Sequence, residues 1–171
     1  GDWSSDVCSS DLPAFERQDY DAASVDIVTM WHVMEHVHDL KGTVTAIAEI
    51  LKPGGWLVIA VPNHTSYDAR YYGRFWGAYD VPRHLSHFSP DTLRRLVEPA
   101  GLRHQRTRLM WFDSVYVSLM AERYQKMDAH GANLPLRACI IGLFSNVLAL
   151  LRKETCSSQI YLFRKATAPG R

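Results

Sequence analysis

Apolar positions along this chain fall into two short runs separated by a helical repeat. Val25-Asp26-Ile27-Val28-Thr29-Met30-Trp31 is rich in β-branched and aromatic side chains and ends in a polar, histidine-containing turn, which predicts a buried strand. From Asp39 the period changes: Val44, Ile47 and Leu51 recur at helical spacing with Ile50 beside them, and Lys52-Pro53-Gly54-Gly55 is expected to stop the helix. Trp56-Leu57-Val58-Ile59-Ala60-Val61 is apolar without alternation, as expected of a strand covered on both faces, and Pro62-Asn63 ends it. Two such strands joined by a helix predict a right-handed parallel crossover unit. Ligands of open α/β sheets sit off the carboxyl ends of the strands, so chemistry is expected in the turns after Trp31 and Val61.

Further along, the signals are local. Ser66 to His87 mixes Tyr67, Tyr71, Tyr72, Trp76 and Tyr79 with Gly73, Gly77 and Pro82, and reads as a long loop or lid with one helical turn. Ser89-Pro90-Asp91 is a helix start, with Leu93, Leu96 and Val97 facing inward and Gly101 closing the helix. Strands are expected over Arg103 to Phe112 and over Gln159-Ile160-Tyr161-Leu162-Phe163. Between them, Leu136 to Leu151 is apolar almost all round and bracketed by Arg137 and Arg152. It is shorter than the roughly twenty residues that span a bilayer, so it is a buried core helix, a dimer contact or an interfacial membrane anchor.

Composition narrows the picture little. A chain of 171 residues, 47% hydrophobic, is enough for one domain with a sizeable core. A formal net charge of +1 gives no argument for a nucleic-acid partner. Three cysteines, Cys8, Cys139 and Cys156, are too few and scattered for a disulfide framework and suit a reduced, cytoplasmic protein, with peripheral membrane contact through Leu136–Leu151 as the variant. Residues 1–12, with their repeated Ser-Ser-Asp, have no strand or helix period. They read as a translated sequencing adapter on a truncated frame, or as a natural polar arm, and are set aside from the fold.

Taken in order, VDIVTMWHVMEHVHDL, LKPGGWLVIAVPN and GRFWGAYDVPRHLSHFSPDTLRRLVEPAGL resemble the C-terminal half of class I S-adenosylmethionine-dependent methyltransferases, nearest in pattern to the small-molecule enzymes of ubiquinone biosynthesis. The resemblance is good from Phe15 to Leu102 and loose beyond. It implies an α/β fold: the C-terminal part of a Rossmann-like seven-stranded sheet whose N-terminal cofactor half is missing. Residues 13–171 would form a partial domain with a lid at 64–88 and an apolar helical insertion at 113–153. The family's Gly-rich loop has no counterpart, since the chain contains no G-x-G, nor has the acid that holds the ribose. This chain alone is therefore expected to be inactive and to bind S-adenosylmethionine poorly, half the pocket wall being open to water.

The resemblance also implies site residues. Met30, Trp31 and His32 stand where the family lines its cofactor, and Phe15 and Glu16 where it has an adenine-contacting loop. Arg83, His84 and His87 stand in the substrate-facing loop, with His84 the first choice as general base, His87 the second, His64 a more distant one, and Arg83 suited to an anionic substrate group. The acceptor is a small molecule methylated on oxygen, nitrogen or carbon; Tyr72, Trp76 and Tyr79 suggest stacking on an aromatic ring. No metal ligand is assigned. Two competing readings remain. His32-Val33-Met34-Glu35-His36 matches the H-x-x-E-H pattern of inverted zincins, with Glu98 as a distant third ligand and His38 nearby, which suggests a zinc metallopeptidase. That pattern belongs inside a long helix, whereas here His32 is expected to leave a strand in a turn. The other is a non-catalytic interaction module.

Overall fold

The computed structural model describes residues 20–129 and 135–167. Its centre is a four-stranded sheet in the order β1-β2-β4-β3, built from β1 (Val25–Trp31), β2 (Leu51–Pro62), β3 (Leu102–Leu109) and β4 (Ser158–Lys165). β1 and β2 are parallel, joined through helix α1 (Leu40–Ile50), and β4 runs antiparallel to both β2 and β3. Asp39 caps α1 by accepting from the Gly42 amide, and Val44, Ile47 and Ala48 form its buried face.

The Lys52–Gly55 segment is not a turn after the helix but part of β2. The helix ends at Ile50, and Leu51 is already extended and paired with Val25, while the next matched pair is Ile27 with Trp56. Residues 52–55 are thus accommodated opposite Asp26 alone, as an enlarged bulge. Gly54 sits at φ +78°, and a Cβ on Gly55 would stand 2.9 Å from the Lys52 carbonyl oxygen and 3.0 Å from that of Asp26. The two glycines therefore serve a close backbone approach between parallel strands, which the Lys52–Asp26 ion pair at 2.7 Å holds from outside.

One face of the sheet carries the main core, and the other is covered only near the carboxyl end of β2, where Ala60 is fully buried. Leu57, Ile59 and Val61 of β2 pack with Tyr161 and Phe163 of β4 beneath α1 and helix α3 (Pro90–Val97), which supplies Leu93 and Val97. On the opposite face Ile27 is 54% and Trp31 51% exposed, and Trp56 and Val58 are half-buried. The expectation of a strand buried on both faces holds only at the carboxyl end of β2, because α1 and α3 contact each other and lie on the same side. The α3 start is as expected, with a reciprocal Ser89–Thr92 capping box and Pro90 in the first turn, and Gly101 closes it at φ +83°.

A second core stands at the carboxyl ends of β1 and β2. Residues 64–88 do not form an open aromatic lid; they fold into helix α2 (Tyr67–Tyr72) and single turns at Gly73–Phe75 and Gly77–Tyr79, whose Ala69, Tyr72, Trp76 and Ala78 are buried with Val117, Ala121 and Ile141. Those partners come from helices α4 (Asp113–Ala129) and α5 (Pro135–Leu151). Tyr72 and Trp76 are therefore packing residues, unavailable to stack on a substrate. Asp68, fully buried, accepts from Trp76 Nε1 at 2.7 Å, Ser157 Oγ at 2.7 Å and Ser145 Oγ at 3.1 Å, and so joins α2, α5 and the approach to β4. Glu122 does the same for α4, accepting from Tyr72 Oη at 3.0 Å and from Arg137 in a two-point contact at 2.6 and 3.0 Å.

Helix α5 differs from the all-round buried helix that its composition suggests. Its inner face is mostly small or polar, with Ala138, Gly142, Ser145, Asn146 and Ala149 beside Ile141, whereas most of its large side chains point outward. The reason is the close crossing: a Cβ on Gly142 would lie 2.7 Å from Val115 Cα, so bulk cannot be turned inward there. Among the described residues no helix is long and apolar enough to cross a membrane.

Candidate functional site

The parallel pair β1–β2 delivers its carboxyl ends to one place, and the backbone there is unusual. His32, the residue after β1, takes φ +51°, a left-handed conformation rarely adopted by non-glycine residues, while its amide still bonds the Ala60 carbonyl at 3.0 Å. This abrupt exit turns the imidazole toward the single helical turn Met34–His36, where its Nδ1 lies 3.1 Å from Glu35 Oε1. The crossover helix begins only at Leu40. His32, Glu35 and His36 thus lie on a strand exit and a single turn, not on one long helix, and Glu98 is exposed at the far end of α3. The inverted-zincin geometry is absent.

Glu35 organises what surrounds it. Its side chain is 1% exposed, and its backbone carbonyl accepts from the Leu85 and Ser86 amides at 2.8 and 3.1 Å, tying residues 80–86 to the end of β1. Oε1 engages His32, while Oε2 is buried without a hydrogen-bond partner. The hydrogen bond to that carboxylate holds the His32 imidazolium above the ordinary histidine range. Because the folded value is raised, this contact stabilises fully below the unfolded histidine value near 6.5 and is lost as pH climbs through the folded one. An NMR titration of His32 is expected to show a midpoint above 6.5, falling when Glu35→Gln removes the charge.

His84 is set the opposite way. Burial pushes its pKa below the ordinary value. Its Nδ1 lies 2.8 Å from the Ala78 carbonyl oxygen, which can only accept, so Nδ1 carries the proton and Nε2 is the basic nitrogen. A cleft of about 250 Å³ is lined by His32, Pro62, Gly77, Ala78, Asp80, Arg83 and His84 on one side and by Asp113, Tyr116, Val117, Met120 and Tyr124 of α4 on the other. One ligating atom from each of Glu35, His36 and His84 comes within 4.8 Å of the others, an arrangement that can hold a cation.

The residues singled out from sequence separate accordingly. His32 and His84 share the cleft, and Arg83 joins them while its guanidinium bonds Asp80 at 3.0 Å. Met30 belongs to the main core, so its side chain serves packing, and Trp31 lies on the open sheet face. His87 has its Nε2 3.1 Å from the Tyr79 carbonyl oxygen and is not among the cleft-lining residues, nor is His64. Asn63 is structural, donating to the Glu154 and Cys156 carbonyls and accepting from Thr65. Phe15 and Glu16, like the 1–12 head, lie outside the described residues. Sequence reasoning missed the α4 wall: Tyr116 and Tyr124 sit in a segment read only as an insertion, and no short-range signal links them to His84.

Comparison with known proteins gives the family and the fold. A family model described as a methyltransferase domain matches residues 5–106, more than half of the chain. The ubiquinone biosynthesis O-methyltransferase of Thiobacillus denitrificans is 32% identical over 103 residues, covering 55% of this chain and 44% of that protein. The enzyme of the same name from Nitrosospira multiformis is 35% identical over 83 residues, covering 45% and 35%. The chain thus spans less than half the length of these curated relatives. Among solved structures, a SAM-dependent methyltransferase from Archaeoglobus fulgidus aligns at a TM-score of 0.52 and 17% identity, covering 87% of this chain and 63% of that one. The [4+2]-cyclase SpnF aligns at 0.53 and 16% identity, covering 87% and 52%. At such identities the likeness is one of fold, and the cyclase shows that this fold also carries other chemistry. With a family model matched over residues 5–106, more than half of the chain, and the parallel β1–β2 unit within them, the chain belongs to the methyltransferase domain family.

Proposed function

We propose that the whole protein transfers the methyl group of S-adenosylmethionine to a hydroxyl oxygen of a small-molecule acceptor, with His84 as general base. The observation that carries this reading is His84 itself: neutral through burial, fixed by the Ala78 carbonyl with Nε2 as the basic nitrogen, and placed in the cleft at the carboxyl ends of β1 and β2. In the reaction the acceptor oxygen attacks the sulfonium methyl in line. The carbon–oxygen bond forms as the carbon–sulfur bond breaks, and the acceptor proton passes to His84 Nε2. The exit of β1, where His32 bonds Glu35 and faces the cleft, would hold the cofactor. The names of the curated relatives favour a phenolic acceptor, and the cleft volume suits one ring. Tyr116 and Tyr124 are the aromatics that would contact it in place of Tyr72 and Trp76.

A second reading rests on the unpartnered Glu35 Oε2 and the convergence of Glu35, His36 and His84. A divalent cation held there would bind the acceptor oxygen and lower its pKa, making His84 a ligand and not a base. Transfer of labelled methyl from S-adenosylmethionine to simple phenols and catechols, with and without a chelator, separates the two. Transfer to hydroxyl that survives chelation supports the base. Loss that is restored by a divalent cation supports the metal, and labelling confined to amines or carbon overturns both.

A further inference from the structure

An unexplained surface borders the cleft at Tyr116 and runs over the outer side of α4 and α5. Leu136, Ile140, Leu143, Val147 and Leu150 form an exposed stripe along α5, and Leu151 continues it at the helix end. Beside it, the turn between β3 and α4 projects Trp111 and Phe112, the latter 93% exposed, with Tyr116 exposed on the first turns of α4. Between the helices runs an apolar groove of about 640 Å³, to which Phe112, Val115, Leu119, Leu143 and Val147 contribute. Exposed patches of this kind mark interaction sites on soluble proteins.

We propose that this face docks onto an anionic bilayer surface, with α5 lying in the plane of the interface and the Trp111–Phe112 turn inserted. Charge favours that occupant. Pro135–Leu151 contains no acid, and its one cation, Arg137, is engaged by Glu122. Exposed cations follow around it in sequence: Arg108 before the aromatic turn, Arg123 and Lys126 on α4, Arg152 and Lys153 after α5. Against them stand exposed Glu154 and half-buried Asp113, the latter accepting from Ser158. Shape favours it as well. Lipid chains deform to fill an open groove and to surround a protruding aromatic tip. Trp, Phe and Tyr beside it, cations before and after it in sequence, and an acid-free apolar stripe on a helix of roughly 25 Å at 1.5 Å per residue suit a membrane interface.

The test needs neither cofactor nor turnover, so it stands apart from the proposed reaction. The chain is sedimented with vesicles of phosphatidylcholine, alone or with about 30 mol% phosphatidylglycerol. Binding to the anionic vesicles is expected to be at least about tenfold tighter than to the neutral ones, and to weaken in high salt. The exposed triple variant Phe112→Ser/Leu143→Ser/Val147→Ser should stay in the supernatant with an unchanged circular dichroism spectrum, and Arg152→Glu/Lys153→Glu should lose the preference for anionic lipid. A wild-type chain that ignores anionic vesicles overturns the proposal. So does a stable dimer in analytical ultracentrifugation that the triple variant converts to monomer, because the face is then covered by a second copy.

Discussion

His84→Ala is expected to lower the rate of methyl transfer by about a hundred- to ten-thousand-fold in the whole protein while leaving S-adenosylmethionine affinity nearly unchanged. The split follows from where the group acts. A base that takes the acceptor's proton is engaged as the bond to the methyl forms, so its removal costs transition-state stabilisation and not cofactor binding. The wild-type rate should fall with decreasing pH through a midpoint below the ordinary histidine value of 6.5, because burial favours the neutral ring, and only the neutral ring can accept a proton. In the variant that inflection should vanish, and activity toward a phenol should recover partly at high pH, where the acceptor ionises by itself. Calorimetric binding of the cofactor and kcat as a function of pH provide the measurements. Full activity at neutral pH in His84→Ala would remove the base from this reading.

Asp68→Ala is expected to be the most destabilising single change outside the main core. The carboxylate is fully buried and accepts from Trp76, Ser145 and Ser157, three donors from three separate segments. Truncation leaves Trp76 Nε1 and Ser157 Oγ without that acceptor, while Ser145 Oγ can still donate to the Thr155 carbonyl, and an unsatisfied buried donor costs about 1–3 kcal/mol. With partial relaxation the loss should be about 3–5 kcal/mol, which for a domain of this size lowers Tm by roughly 10 °C. Thermal unfolding followed by circular dichroism would show it, and Asp68→Asn should recover part, since the amide oxygen can still accept. The same substitution should erode activity indirectly, because Trp76 anchors the Gly77–Ala78 wall of the cleft and the Ala78 carbonyl holds His84. A chain that unfolds within a degree or two of wild type would show that water replaces the carboxylate without cost.

Local pattern and tertiary context divide cleanly on particular residues. Val25–Trp31, the Val44–Ile47 helix face, the Ser89-Pro90-Asp91 cap and the final strand around Tyr161 are all legible in the sequence, because each rests on contacts within a few residues: side-chain alternation, a 3.6-residue repeat, a hydroxyl satisfying the first amides of a helix. The family follows from the order of those pieces. What could not be read locally depends on which segments meet. Lys52–Gly55 has the composition of a turn, yet pairing with β1 draws it into β2 as a bulge. Tyr72 and Trp76 have the composition of a substrate-facing lid, yet Glu122 and Asp68 offer their polar tips buried partners from distant positions, and the rings become core. Leu136–Leu151 has the composition of a buried helix, yet mostly small residues take the inner face, because α4 comes too close at Gly142 for anything larger there. His84 was legible as a histidine in the right loop. Its tautomer and its neutral state were not, since these come from a carbonyl six residues away in a folded turn and from burial beneath residues of other segments. Short-range order is fixed by backbone sterics and side-chain period, which the sequence contains directly; proton affinity, burial and facing are properties of the assembled neighbourhood, and they exist only once the segments have packed.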